Sequence, residues 1–304
     1  MKALITGSEG FVGRHLSAEL ESNGYDVIRC SLEGGDGYVG LNILDFDAVK
    51  KVLSDYMPDV IVNMAGQANV ALSWKKPQFT MTLNVNGFVN ILDAVREVKP
   101  DTKIIGIGSA DEYGSLGSKG NNVTEDTPVN PMTPYAVSKV AQENMAMTYC
   151  RAYGMNINMI RFFNMGGAGQ AKGFMISDFA SGIADIEAGK SDCLLVGNLE
   201  SARDFTHVKD AVRACRLIIE KGIPGEIYNV CSGRTYTAQE VLNRLCSMAK
   251  CGITIKQDAS RMRPSDTPVV CGNHDKLTAH TGWQPEKSID EILSEALSQA
   301  RQNP

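Results

Sequence analysis

The chain opens on a short apolar run, Lys2-Ala-Leu-Ile-Thr6. It is followed at once by Gly7-Ser-Glu-Gly10-Phe11-Val12-Gly13 and then by Arg14-His-Leu-Ser-Ala-Glu-Leu-Glu21 with helical spacing of its apolar residues. Strand, glycine turn and helix in that order restrict the fold more than any other stretch. Gly7 allows the tight turn, Gly10 lets backbone N–H groups approach a pyrophosphate, and Gly13 lets the helix pack closely on the strand. The helix start at Phe11 and Val12 then faces an anion. Three glycines among 29 also fit an ordinary turn and cap, but their place directly after the first strand favours a dinucleotide.

Apolar runs and helical patterns alternate through the first half. Tyr25–Cys30, Asp59–Met64, Lys103–Gly108 and Asn156–Arg161 read as strands, and 46–55, 79–97 and 135–152 read as helices. Strands apolar on both faces and joined by helices imply an α/β fold with a doubly wound parallel Rossmann sheet. Beyond about residue 165 the pattern loosens. A helix at 174–188, a strand near Cys193–Val196, a helix at 208–221, a strand at Ile227–Cys231 and a helix near 237–250 are expected, with turns around 222–225 and 264–268. The expected division is a dinucleotide-binding domain, 1–165 with 204–232 returning to it, and a smaller α/β substrate-binding lobe from 166–203 and 233–304.

A net charge of −5 and a pI near 5.5 argue against nucleic acid or an anionic membrane as partner. No run approaches the length of a membrane span, and Met1-Lys2 leads directly into a strand, so a cytoplasmic protein is expected. The eight cysteines are scattered without a Cys-x-x-Cys, and the four histidines do not cluster, so no metal site is expected.

Tyr135-Ala-Val-Ser-Lys139 puts a phenol and an ammonium four residues apart, on one helix face. A nearby Lys⁺ and an oxidised nicotinamide both favour phenolate, so Tyr135 can act as general acid or base on a carbinol or carbonyl. The spacing alone also fits an ordinary amphipathic helix. Ser109 ends the run Lys103–Gly108, where a doubly wound sheet presents ligand-facing residues, and its hydroxyl can hydrogen-bond the reacting oxygen.

Together with the opening glycines, Ser109, Tyr135 and Lys139 resemble the short-chain dehydrogenase/reductase superfamily, in its extended branch acting on nucleotide sugars. The resemblance spans essentially the whole chain. It implies that Ser109, Tyr135 and Lys139, with Asp111 two residues beyond the serine, are catalytic and that Tyr135 and Lys139 also touch the cofactor. It further implies that Gly7, Gly10, Phe11, Val12 and Gly13 hold the pyrophosphate, that Asn42-Ile43 border the adenine, and that Ala65-Gly66-Gln67 and Asn84 line the cleft. Arg161-Phe-Phe-Asn164, Gly173–Phe179, Gly197–Phe205 and Arg261-Met-Arg-Pro-Ser-Asp266 resemble the GDP-mannose group of that branch. Asn164, Arg203, Arg263 and Asp266 are the substrate-binding residues so implied, the two guanidinium groups being suited to phosphate oxygens.

Two reactions of this group use the same triad. A 4,6-dehydratase of GDP-mannose needs a carboxylate base, which the family places as Glu two residues beyond the Ser or Thr. Here that position is Asp111, one methylene shorter, and the adjacent Glu112 keeps the dehydratase open. The dehydratases also carry a long Arg-rich loop after the second strand, where this chain has only Ser31-Leu-Glu-Gly-Gly-Asp-Gly37. The expectation is therefore NAD(P)H-dependent reduction of the C4 keto group of a GDP-4-keto-6-deoxy-hexose. A nucleotide-sugar 4-epimerase and a non-catalytic dinucleotide sensor are the further alternatives. An NAD-selecting carboxylate is expected about 20 residues past the glycine turn. The second strand ends instead in Arg29-Cys30-Ser31, with Glu33 only in the loop, which leans the expectation to NADP(H) over NAD(H). Family habit adds a homodimer through the helices at 79–97 and 135–152.

Overall fold

The computed structural model describes residues 1–118, 122–261 and 269–302. Its first half runs β1 (Lys2–Thr6), α1 (Phe11–Ser22), β2 (Asp26–Ser31), β3 (Val39–Gly40), α2 (Phe46–Tyr56), β4 (Val60–Asn63), α3 (Val70–Lys75), α4 (Pro77–Met81), α5 (Gly87–Val98), β5 (Lys103–Ser109), α6 (Pro134–Tyr153) and β6 (Ile157–Phe162). The second half continues with β7 (Asn164–Gly166), α7 (Met175–Glu187), β8 (Leu194–Val196), β9 (Ala202–His207), α8 (Val208–Lys221), β10 (Ile227–Val230), β11 (Thr235–Thr237), α9 (Ala238–Ser247), β12 (Ile255–Gln257), β13 (Val269–Val270), α10 (Asp275–Thr281) and α11 (Ile289–Gln302).

Seven parallel strands form the central sheet in the order β10-β6-β5-β4-β1-β2-β3. Period-two alternation sends Ala3 and Ile5 to one face, where they meet Leu16 and Leu20 of α1 and Val208, Ala211 and Cys215 of α8. Leu4, Ile28 and Ile61 go to the other face, against Val52 and Leu53 of α2 and Phe88, Ile91 and Leu92 of α5. With helices on both faces, all the residues of β4 and β6 are buried. The chain proceeds outward from β1 to β2 and β3, then crosses back to β4 on the other side of β1. That reversal opens a crevice at the carboxyl ends of β1 and β4, the place where such sheets bind ligands.

The expected helix at 79–97 starts earlier, at Pro77, and contains a π turn over Thr82–Asn86 between α4 and α5. Such turns accommodate an extra residue and concentrate at functional sites. Here the turn contains the buried Asn84. Between β2 and β3, the N–H of Gly35 donates to Tyr38 O (3.1 Å) and the N–H of Tyr38 to Gly35 O (2.9 Å). The two residues they enclose, Asp36 and Gly37, are both left-handed (φ 50° and 85°), the mark of a type I′ turn.

The second half adds a small sheet, β11-β9-β13, in which β7 also pairs with β9, and a separate β8-β12 pair. Its own core joins Phe179 and Ile183 of α7, Leu242 and Leu245 of α9, and Leu293 and Leu297 of α11 around Phe205. The sequence expectation lacks β9, because Arg203, Asp204 and His207 interrupt the apolar run that marks a strand.

Candidate active site

The glycine turn is built by close backbone approach. Gly7 has φ +60°, and a methyl there would lie 2.9 Å from the backbone of Ala65. A methyl on Gly13 would lie 2.4 Å from the Gly7 carbonyl oxygen and 2.7 Å from Ser8 Cα. Gly10 is exposed at the N-cap of α1, with no side chain capping the helix and no acidic residue in its first turn. Phe11 and Val12 follow it, half-buried. Backbone N–H groups and the positive helix end therefore converge on open space, which fits a dinucleotide pyrophosphate. Ser8 ties the turn to β2, its N–H and hydroxyl both donating to Cys30 O at 3.0 and 2.8 Å.

Across the crevice, Gly66 is exposed beside the site, with Ala65 half-buried next to it. Asn84 Oδ1 accepts the Gln67 N–H (2.7 Å), and its amide donates to Gln67 O (3.1 Å) and Ser138 Oγ (2.9 Å). The Gln67 amide donates in turn to Thr80 Oγ1 (2.9 Å). Both side chains are thus spent on shaping the loop and joining it to α6. Asn42 is exposed, its Oδ1 accepting the Leu44 N–H (3.0 Å), whereas Ile43 is buried in the core against α5. At the end of β2, Arg29 forms a two-pronged pair with Glu21 at 2.6 and 2.7 Å, and Ser31 Oγ accepts the Gly34 N–H (3.0 Å).

Ser109, Tyr135 and Lys139 come together at the carboxyl end of β5, each less than a tenth exposed. The α6 helix that carries the last two starts at Pro134, and Thr133 caps it by accepting the Ala136 N–H (3.1 Å). Lys139 Nζ donates to Ile107 O (2.7 Å) and Gln142 Oε1 (3.2 Å) and lies 5.9 Å from the centre of the Tyr135 ring. It is also 3.9 Å from the point where a side chain on Gly66 would begin, so the ammonium borders the crevice. Burial brings Lys139 down to about 8, with Glu112 opposing. For Tyr135, burial and then Asp111 push the phenol well above its ordinary value, while a hydrogen bond with Ser109 acts the other way. Burial thus sets the direction for the phenol and favours its protonated form.

Asp111 is half-buried, and its N–H donates to Ser109 Oγ (3.2 Å). Glu112 is wholly buried and accepts the Ser109 N–H (2.7 Å). Behind it lies a network the sequence reading misses. Arg161 pairs with Glu143 through two bonds, 2.9 and 2.6 Å, and donates to Tyr113 Oη (2.8 Å), which donates to Asn229 Oδ1 (2.7 Å). The available signal was Tyr135, Lys139 and Glu143 at four-residue steps, three polar groups on one buried helix face.

On the substrate side, Asn164 begins β7 just beyond β6, exposed and in register with Phe205. Arg203 lies on β9, half-buried, with one guanidinium N–H donated to Ala202 O (2.9 Å). Arg263 and Asp266 lie outside the described residues. The segment after β7 crosses to the first turn of α1, where Ala168 O accepts from His15 Nε2 (2.8 Å) and Gly169 O from Arg14 (3.3 Å).

A family model described as GDP-mannose 4,6 dehydratase matches residues 4–296. GDP-6-deoxy-D-mannose reductase from Pseudomonas aeruginosa is 32% identical over 298 residues, covering 98% of this chain and 96% of the relative. GDP-mannose 4,6-dehydratase from Yersinia enterocolitica is 25% identical over 357 residues, covering 99% and 95%. Among solved structures, RMD from Pseudomonas aeruginosa complexed with NADPH aligns with a TM-score of 0.90 at 30% identity, covering 100% of this chain and 99% of that one.

Proposed function

The chain belongs to the GDP-mannose 4,6 dehydratase family, and from that premise we propose that it reduces the C4 keto group of a GDP-4-keto-6-deoxy-hexose to the GDP-6-deoxy-hexose, with NADPH preferred over NADH. Glu112 carries the choice of reductase over dehydratase. It is the one glutamate in Ser109–Gly114, and it is wholly buried and turned on to the Ser109 amide, so it is not presented to a C5 proton. Asp111, the residue in the dehydratase position, is one methylene shorter. The reductase relative at 32% identity and the compact turn between β2 and β3 support the same choice.

The glycine turn and the loop at Gly66 would hold the dinucleotide, whose reduced nicotinamide would supply the hydride. Gly7, Gly10, Phe11, Val12 and Gly13 hold the pyrophosphate by backbone N–H groups, Ala65 and Gly66 give clearance, and Gln67 and Asn84 keep that loop in shape. Asn42 and Ile43 border the adenine end. Ser109 donates a hydrogen bond from its hydroxyl to the C4 oxygen. Tyr135, held protonated by burial, gives its proton to that oxygen as the carbonyl becomes a carbinol, and the Lys139 ammonium stabilises the phenolate left behind. Asn164, Arg203, Arg263 and Asp266 bind the sugar nucleotide. In this reading 1–165 with 204–232 hold the dinucleotide, and 166–203 with 233–304 hold the sugar nucleotide.

We place the protein in the cytoplasm as a homodimer through α4, α5 and α6. All eight cysteines are free, and no described helix is long and apolar enough to cross a membrane. Phe79 of α4 and Val137 and Tyr153 of α6 are exposed apolar groups on the helices of the proposed interface. A monomer by light scattering sinks the dimer. For the reaction, the protein is incubated with GDP-mannose alone and with its 4-keto-6-deoxy derivative plus NADPH. Loss of NADPH absorbance in the second tube alone is the expected result. Conversion in the first identifies a dehydratase, and inertness in both removes the assignment.

A further inference from the structure

A carboxyl group at zero exposure needs a reason to be there. Taking it out of water costs several kcal/mol unless it is paired or protonated. Among the described residues Glu112 makes one hydrogen bond and only a long ion pair. Its Oε2 lies 3.7 Å from Arg161 Nε, and it has no hydrogen-bond partner among the described residues. Arg161 is already taken, since Glu143 holds it with two short bonds. Oε1, by contrast, makes one good bond, to the amide of Ser109. Room for it comes from Gly108, where a methyl would lie 2.6 Å from that same oxygen.

We propose that Glu112 is a positioning residue of the reduction: its buried carboxyl holds the Ser109 backbone, and through it the Ser109 hydroxyl, against the reacting carbonyl. The inference rests on the reductase reading. Two bonds from the turn that follows β5 fix the serine. Glu112 Oε1 takes its N–H, and the Asp111 N–H goes to its Oγ (3.2 Å). With a lone pair of Oγ taken by that N–H, the hydroxyl keeps its proton for another partner.

The groups facing Glu112 are Glu143, Lys139 and Tyr135 from α6, Arg161 from β6, and Asp111 and Tyr113 from its own turn. Arg161 is committed to Glu143, which leaves Glu112 3.7 Å from the guanidinium and beside a second carboxyl. Burial, then Glu143, pushes Glu112 up to about 8. Burial thus favours the carboxylic acid, whose carbonyl oxygen can take the Ser109 N–H.

A glutamine reproduces that acceptor without the acid, and a leucine does not. In NADPH oxidation with the keto sugar, Glu112→Gln is expected to keep kcat within about threefold of wild type. Glu112→Leu is expected to lose about tenfold to a hundredfold in kcat, with the cofactor KM changed less than about threefold, as misplaced catalytic groups do. Infrared difference spectra of wild type minus Glu112→Gln should show the carbonyl band of a protonated acid, fading as the pH rises through about 8. Wild-type kcat in the leucine variant, or a glutamine variant as slow as the leucine one, overturns the inference and spares the reductase reading. Should the leucine variant fail to fold, the glutamine kcat and the infrared band decide: full activity with the band present supports the inference, and a slow glutamine variant or a missing band overturns it. Wild type inert toward the keto sugar removes the reductase reading and this inference with it.

Discussion

At the glycine turn the chain works through what its residues lack. Gly7 and Gly13 stand where a single methyl would strike backbone at 2.9 and 2.4 Å, so strand, turn and helix close on one another and leave N–H groups bare. In the small second-half sheet β9 works through what a residue carries. Asp204, wholly buried, accepts from Ser232 N (2.8 Å), Ser232 Oγ (2.6 Å), Gly233 N (2.9 Å) and Gly272 N (3.2 Å). One carboxylate thus gathers two loops that lie 28 and 68 residues away in the chain. The first device is steric and works by backbone approach, the second electrostatic and works through one side chain. They should fail differently when altered.

The largest effect is expected away from both, at the carboxyl end of β5. Tyr135→Phe should lower kcat by roughly 10²–10⁴ and leave GDP binding by calorimetry nearly intact, because the change removes a proton and no packing. Retained turnover would show that the phenol is not the acid. At the dinucleotide end, Gly13→Ala should weaken NADPH binding about tenfold to a hundredfold, the consequence of 1–3 kcal/mol of overpacking. Fluorescence titration reads it, and unchanged affinity would mean that helix and strand are free to separate.

Asp204→Ala should cost about 3 kcal/mol in urea unfolding, since four donors lose a common acceptor in a buried place. If the loss appears only in the KM for the sugar nucleotide, the clamp serves binding and not folding. A pH series adds a smaller test at the carboxyl end of β5. Burial brings Lys139 down to about 8, so it is charged below that value and neutral above it. Activity should fall as pH rises through about 8, by about tenfold per unit beyond it. An unchanged rate at higher pH would separate Lys139 from the chemistry. Smallest of all, Thr237→Ala removes the capping box that Thr237 and Glu240 make at the start of α9 and should cost about 1 kcal/mol, read as a small fall in Tm.

The same contrast explains what could be read in advance. Glycines at positions 7, 10 and 13 announce a turn because their spacing falls within seven residues, although the approach of Ala65 to Gly7 does not. Ser109, Tyr135 and Lys139 are legible because a strand end and one helical turn suffice to orient them. β9 is not, because Arg203, Asp204 and His207 look like surface residues until Ser232, Gly233 and Gly272 fold round the aspartate. Glu112 escapes for a related reason. In sequence it is a neighbour of Asp111 and a candidate base, and only the packing of α6 and β6 around it, with Arg161 committed to Glu143, turns it inward.

The two-residue strand β3 carries a consequence beyond catalysis. A parallel sheet ending on a long strand exposes a row of unpaired amides and carbonyls on which another chain can add itself. Here the ladder stops after Val39 and Gly40, and the left-handed Asp36-Gly37 turn precedes it. That margin of the sheet offers almost no template for aggregation. It is also a natural graft point: extra residues inserted at Asp36-Gly37 would lengthen an exposed hairpin at a modest entropic cost, leaving the pairing of β1 with β2 and β4 untouched.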